Sequence, residues 1–241
     1  MKINVVYSPN FDQRKRPSKS IKLLVIHYTG MQSERESIMR LCNPQSMVSS
    51  HFVISQSGKI YRLVYDDQIA WHAGKSCWGK YKNLNENSIG IELVNRGHQF
   101  GYTGFKTKQI LALVKLCKKL IIRYKIKKKN IVGHSDIAPL RKMDPGEKFP
   151  WKYLSKKKIG IWHDCKPAFL MKRRKLKVIK KNDIKKFTKF LTKIGYCVPY
   201  QKKRMLFKII KAFQRRFRNE LINGVLDQEC LIIAKNLAKK L

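Results

Sequence analysis

The stretch VGHSDIAPLRKMDPG, residues 132–146, sets His134, Lys142 and Asp144 in one short segment. Imidazole nitrogen and carboxylate oxygen are both zinc donors, and a catalytic zinc takes three protein ligands and leaves one position for water. The third donor has to come from elsewhere. The chain holds six histidines: His27, His51, His72, His98, His134 and His163. His27 ends the apolar run LLVIH as His134 ends NIVGH, so both stand where a buried strand delivers a side chain to a cleft. His27, His134 and Asp144 thus make a candidate metal set. Glu92 lies in the otherwise apolar stretch IGIELVN, where a carboxylate is costly unless paired or functional. Burial there would raise its pKa toward that of a general base. Lys142 precedes Asp144 by two residues, so an extended turn would put both on one side, with the ammonium able to stabilise an oxyanion. Each residue also has a plainer reading: a polar surface turn, a satisfied core histidine, a solvated glutamate on an edge strand, one more surface lysine. Two strand-end histidines with a carboxylate ten residues after the second favour the site.

The elements that must carry these groups follow from periodicity. IKLLVIHY (21–28), SIGIELVN (88–95) and NIVGH (130–134) read as strands, and SHFVISQSGKIYRLV (50–64) as a hairpin with a polar turn. SERESIMRLC (33–42) reads as a helix opened by a serine cap with acidic residues in its first turn. In residues 106–126 apolar side chains recur at 110, 111, 114, 117, 120, 121 and 124, which predicts a long amphipathic helix. Strands mixed with helices give an α/β or α+β mixed-sheet domain over residues 1–165. A basic linker is expected over 166–181 and a small three-helix unit over 182–241, built from 183–196, 203–218 and 229–241.

The net charge is +39, from 54 basic and 15 acidic residues. It is densest after residue 165, where 23 basic residues face 4 acidic ones. Such a chain attracts polyanions, although solvated lysines alone account for much of the excess. Six scattered cysteines without a CxxC pair argue against a zinc finger and are expected as free thiols. No Walker motif, GxSxG or HExxH occurs. No apolar run is long enough to span a membrane, and MKINVVYSPNFDQRKRP lacks the apolar core of a signal peptide. The expected compartment is therefore the cytoplasm, or the cell envelope if export is unconventional or the true start lies upstream.

The blocks LLVIHYTG, VSSHFVIS, AWHAGKSCW, NSIGIELVNRG and VGHSDIAPLRKMDPGEKFPW, in order over residues 6–165, resemble the zinc-dependent N-acetylmuramoyl-L-alanine amidases of the type-2 amidase family, in its AmiD-like branch. The resemblance implies the mixed-sheet fold shared with peptidoglycan-recognition proteins. It also implies hydrolysis of the amide between the lactyl group of N-acetylmuramic or anhydromuramic acid and L-alanine. By position His27, His134 and Asp144 match the ligands of one Zn2+, Glu92 the catalytic glutamate and Lys142 the carbonyl-polarising lysine. Trp71 and His72 of AWHAG match residues that line the substrate cleft, and His51 matches a structural or cleft-lining position. The sequence IIKAFQRRFRNELINGVLDQECLIIAKNL resembles a three-helix peptidoglycan-binding domain. It keeps the loop glycine Gly224 but not the second glycine and threonine of that domain's DGxxGxxT. The partners implied are peptidoglycan or muropeptides, with anionic wall polymer a further one for the basic carboxy-terminal unit. A recognition protein that holds muropeptide without cutting it is the alternative, and a specific nucleic-acid binder is not expected. The presence of all five chemistry-bearing residues favours the enzyme.

Overall fold

The computed structural model describes residues 2–178, 180–198 and 203–241. In chain order the strands are β1 (Asn4–Val5), β2 (Phe11–Asp12), β3 (Leu23–Tyr28), β4 (Phe52–Ile54), β5 (Ile60–Arg62), β6 (Ile69–Ala70), β7 (Cys77–Trp78), β8 (Tyr81–Lys82), β9 (Ser88–Leu93) and β10 (Ile131–Gly133). The helices are α1 (Glu34–Cys42), α2 (Thr107–Tyr124), α3 (His134–Ile137), α4 (Trp151–Lys156), α5 (Pro167–Arg174), α6 (Lys181–Ile194), α7 (Lys203–Phe217) and α8 (Gln228–Lys239).

Six strands form one mixed sheet in the order β1-β5-β4-β9-β3-β10. Within it β4 and β5 pair antiparallel, as the hairpin expected over 50–64. The expected strands fall at β3, β9 and β10, which lie side by side and run parallel. Glu92 therefore sits on a central strand, between His27 on one side and Val53 on the other, and not on an edge.

Side-chain alternation divides the core between the two faces of this sheet. Leu24, Ile26, Ile89, Ile91 and Ile131 point to one face, where Ile110, Leu113, Val114, Cys117 and Leu120 of α2 cover them. Leu23, Val25 and Val132 point to the other, into a cluster with Trp78, Leu84, Phe187, Leu191, Tyr196, Phe213 and Phe217. The carboxy-terminal helices thus share a core with the sheet's second face. Trp78 is the wedge between them. Its ring meets Tyr196 edge to face at 4.9 Å, and its indole N–H donates to the Lys129 carbonyl at 3.1 Å. The absence of a side chain at Gly195, whose φ is +137°, leaves room for that indole.

Two expectations are corrected. Residues 166–181 are not simply a linker: Pro167 opens α5 at its first turn, where a missing N–H costs nothing, and Leu170 is buried against the helices that follow. The cysteines are not all free. Cys77 and Cys197 form a disulfide, with Cα atoms 6.0 Å apart, while Cys42, Cys117, Cys165 and Cys230 are thiols. Partners 120 residues apart leave no spacing signal in the sequence. Among the described residues no helix is long and apolar enough to cross a membrane.

Candidate active site

The carboxyl ends of β9, β3 and β10 converge, which is where open sheets of parallel strands present their ligand-binding side chains. On β3 the alternation Leu23, Val25, His27 brings the histidine out on the second face near the strand's carboxyl end. On β9 the same face reads Ser88, Gly90, Glu92, since these are the partners of Leu23, Val25 and His27. Glu92 and His27 are therefore neighbours across one strand gap of about 4.8 Å. His134 follows β10 directly and opens α3. The chain then turns back, and the Ser135 N–H donates to the Asp144 carbonyl at 2.8 Å, closing the loop so that Asp144 returns beside His134.

His27 Nδ1 lies 3.0 Å from His134 Nδ1 and 3.0 Å from Asp144 Oδ2, and His134 Nδ1 lies 3.1 Å from the same oxygen. Among the described residues these three form a group able to hold a metal ion. All three are buried, with exposures of 1%, 3% and 7%. The outer nitrogens fix the tautomers. His134 Nε2–H donates to the Ala73 carbonyl at 3.2 Å, leaving Nδ1 as a lone pair. His27 Nε2 meets His72 Nδ1 at 3.0 Å. Two imidazole lone pairs and a carboxylate oxygen facing one another at about 3 Å repel unless a cation sits among them, so the donor set itself fits a metal.

Protonation states agree with that. Burial, aided by His134, pushes His27 down to about 4, so it is neutral at neutral pH. Burial opposes ionisation of Asp144, but the facing His134 and His27, when protonated, overcome it and hold the carboxyl below the usual range. Neutral imidazole and ionised carboxylate are the forms that bind metal. Glu92 is the opposite case. Burial, with Asp144 adding like charge, raises its carboxyl well above the ordinary value, against the pull of Lys142. Its Oε2 is shielded and has no hydrogen-bond partner.

These groups line a cleft of about 370 Å³ that also takes in Trp71, His72, Arg40, Lys142 and Met143. Seven of the eight residues named from the sequence therefore meet in one place, and His51 is the one that does not line it. Larger recesses exist, one of about 790 Å³ among Lys2, Lys59, Lys108 and Lys115, but among the described residues none gathers metal donors. Trp71 is half-buried, and its indole N–H donates to Asp12 Oδ1 at 2.6 Å. His72 is buried beneath the cleft floor, and His51 is buried behind it, with Nδ1 accepting from the Gly90 N–H at 3.0 Å.

Sequence reasoning missed the supports. Asp136 is fully enclosed; it accepts from the Gly133 N–H at 2.8 Å, from the Tyr196 hydroxyl at 2.5 Å and from Arg216 of α7 at 2.5 Å. Arg216 also donates to the Ile131 carbonyl at 2.9 Å and lies over the Trp151 ring. The turn that carries His134 is thus clamped from the carboxy-terminal helices. Arg141 donates to the Ala73 and Lys75 carbonyls at 2.5 and 3.0 Å, holding the carbonyl that faces His134. Tyr28, next to His27, donates to His98 Nδ1 at 2.8 Å, and His98 Nε2–H donates to Glu147 at 3.0 Å. None of these supports carries a local signal in the sequence, because each acts through a partner far away in the chain.

Known proteins share this fold. The family model for N-acetylmuramoyl-L-alanine amidase matches residues 17–147. The chain belongs to that family. N-acetylmuramoyl-L-alanine amidase AmiD of Escherichia coli K12 is 40% identical over 235 residues, which cover 91% of this chain and 83% of that protein. The 1,6-anhydro-N-acetylmuramyl-L-alanine amidase AmpD of Haemophilus influenzae is 36% identical over 169 residues, 62% of this chain and 89% of its own length. The solved complex of AmiD with anhydro-N-acetylmuramic acid-L-Ala-D-gamma-Glu-L-Lys superposes with a TM-score of 0.81 at 38% identity, covering 95% of this chain and 92% of that one. AMPDH3 of Pseudomonas aeruginosa, solved with anhydromuramic pentapeptide, gives 0.81 at 32% identity and 98% coverage of both chains. Both alignments extend past the catalytic sheet through most of the carboxy-terminal helices. The chain is therefore an amidase of peptidoglycan turnover with the mixed α/β fold of that family.

Proposed function

We propose that the protein hydrolyses the amide between the lactyl group of anhydro- or ordinary N-acetylmuramic acid and L-alanine, with one Zn2+ held by His27 Nδ1, His134 Nδ1 and Asp144 Oδ2. The convergence of those three atoms within about 3 Å, lone pairs inward, carries this reading. A zinc ion there supplies a water of lowered pKa and polarises the scissile carbonyl.

The chain's own groups supply the rest. Glu92, beside His27, takes a proton in its ionised form as the nucleophile attacks and returns it to the leaving amine of L-alanine. Its raised carboxyl suits both halves of that exchange. Lys142 lines the same cleft and places an ammonium where negative charge grows on the carbonyl oxygen. Trp71, half-exposed at the cleft wall with its indole anchored on Asp12, offers a flat apolar surface to the sugar or stem. Muropeptides bound in the solved AmiD and AMPDH3 structures support the substrate class.

The Cys77–Cys197 disulfide supports an oxidising compartment, the cell envelope, over the cytoplasm expected from the amino-terminal residues. The helices after residue 181 are taken as the carboxy-terminal unit of this enzyme; their basic residues make anionic wall polymer a proposed contact. Purified protein incubated with muropeptides should release stem peptide beginning at L-alanine, read by mass spectrometry. A chelator should stop the release and Zn2+ restore it. Tight muropeptide binding with no release by zinc-loaded protein would replace this reading with the recognition module.

A further inference from the structure

We infer that His72 is a positioning residue of the metal site: with Ser88 it forms a hydrogen-bond relay that locks His27 in the tautomer whose Nδ1 faces the metal. The inference rests on the proposed metal reading and adds a residue pair to it.

The directions of the relay are forced from its outer end. The Leu84 carbonyl can only accept, and the Ser88 hydroxyl donates to it at 2.5 Å. That hydroxyl has one hydrogen, so toward His72 Nε2, at 3.1 Å, it accepts. His72 Nε2 then carries the ring hydrogen and its Nδ1 is the lone pair. Nδ1 faces His27 Nε2 at 3.0 Å and accepts from it. His27 Nε2 is therefore the protonated nitrogen, and its Nδ1 is free toward His134 and Asp144. Each step leaves one choice, and the choice ends on the donor atom that a metal needs.

The seat of His72 is built for this role. Its ring lies over Gly90, where an added Cβ would stand 2.5 Å from His72 Cγ. Gly90 lies between Ser88 and Glu92 on the polar face of β9, so the bare backbone there makes the space the imidazole fills. The rings of His27 and His72 meet edge to face at 5.1 Å. Asn85 Oδ1 accepts from the backbone N–H groups of His72 and Ala73 at 3.2 and 2.7 Å, pinning the loop that carries the ring. The neighbouring Ala73 carbonyl serves His134 in the same way. One short segment, residues 72–73, thus orients both histidine ligands.

Two conservative variants separate orientation from packing. In His72→Asn the amide oxygen falls where imidazole Nδ1 stood and can still accept from His27. In His72→Gln the amide nitrogen falls where Nε2 stood and can still reach Ser88, but the acceptor toward His27 is displaced. Zinc affinity is read by competition with a chromophoric chelator, the visible spectrum of the Co2+-loaded protein reports ligand geometry, and melting of the metal-free protein checks the fold. His72→Gln should lose zinc affinity by about 10- to 100-fold and shift the Co2+ bands, while His72→Asn stays close to the parent in both. Equal affinity for parent and His72→Gln, or equal losses in both variants, overturns the relay and leaves the amidase reading standing. Failure of the parent itself to bind zinc would overturn the metal reading and the relay together.

Discussion

At the scale of single residues the proposed site separates atoms placed to hold a metal from a carboxylate placed to move protons. Glu92 donates nothing to the His27–His134–Asp144 cluster, so its loss should leave metal content intact. Glu92→Gln should lower kcat by about 10²- to 10⁴-fold with one zinc per chain retained by elemental analysis; a variant that keeps the parent rate would remove Glu92 from the mechanism. Lys142→Met should cost about 10²- to 10³-fold in kcat with KM nearly unchanged, the pattern of a group that acts on developing charge. Four residues stood out in the sequence by their setting: a histidine closing each of two apolar runs, a carboxylate inside a third, and an aspartate ten residues after the second histidine; Lys142, one of 54 basic residues, stood out only through the family resemblance. Ser88 broke no rule, since a serine at a strand's start is ordinary, and only the register of β9 beside β3 shows which way it points.

At the scale of elements, β3, β9 and β10 were readable from β-branched apolar runs and α2 from its three-and-four spacing, because those elements bury a full face. The two-residue strands β7 and β8 and the four-residue α3 are too short to show a period. They depend on distant partners, and those partners are hard to single out: Arg216, which grips α3 through Asp136, is one of 54 basic residues. Arg216→Ala would leave a buried aspartate without its cation and should destabilise the fold by about 3–5 kcal/mol, measured by urea unfolding. A loss below about 1 kcal/mol, the range of solvent-exposed ion pairs, would mean the pair is not enclosed in solution. A second link, Glu147 to His98 and Arg215, gives a pH signature. The His98 hydrogen bond, helped by Arg215, holds the Glu147 carboxyl below its usual 4.5. A group lowered on folding stabilises above its unfolded pKa and loses that contribution as pH falls through the folded one. Glu147→Gln should therefore be less stable than the parent at neutral pH, and the gap should close as pH drops below about 4.5. A gap that stays constant down to about pH 2 would show that the link does not depend on the charge of Glu147.

At the scale of the whole molecule, the sheet's second face is finished only by the carboxy-terminal helices, and the Cys77–Cys197 disulfide fastens that arrangement. Closing a loop of this length stabilises by about 4–5 kcal/mol in the chain-entropy account. A dithiol reductant should lower the urea midpoint of the parent and leave the Cys77→Ser/Cys197→Ser double variant unmoved; equal midpoints for oxidised and reduced parent would show that the bond adds nothing to stability. Neither the bond nor the shared core could be read from one chain, because both join segments that no local pattern connects. The bond also draws a covalent ring through residues 77–197, with Glu92, His134, Lys142 and Asp144 inside it and His27 outside. A protease that cuts once within the ring, after the exposed Lys127 for instance, divides the backbone without parting the pieces. The nicked protein would run as one band on a gel without reductant and as two with it. It would carry its proposed proton-transfer and metal groups on fragments that cannot diffuse away from each other, so a single wound in a protease-rich surrounding need not end the enzyme's working life.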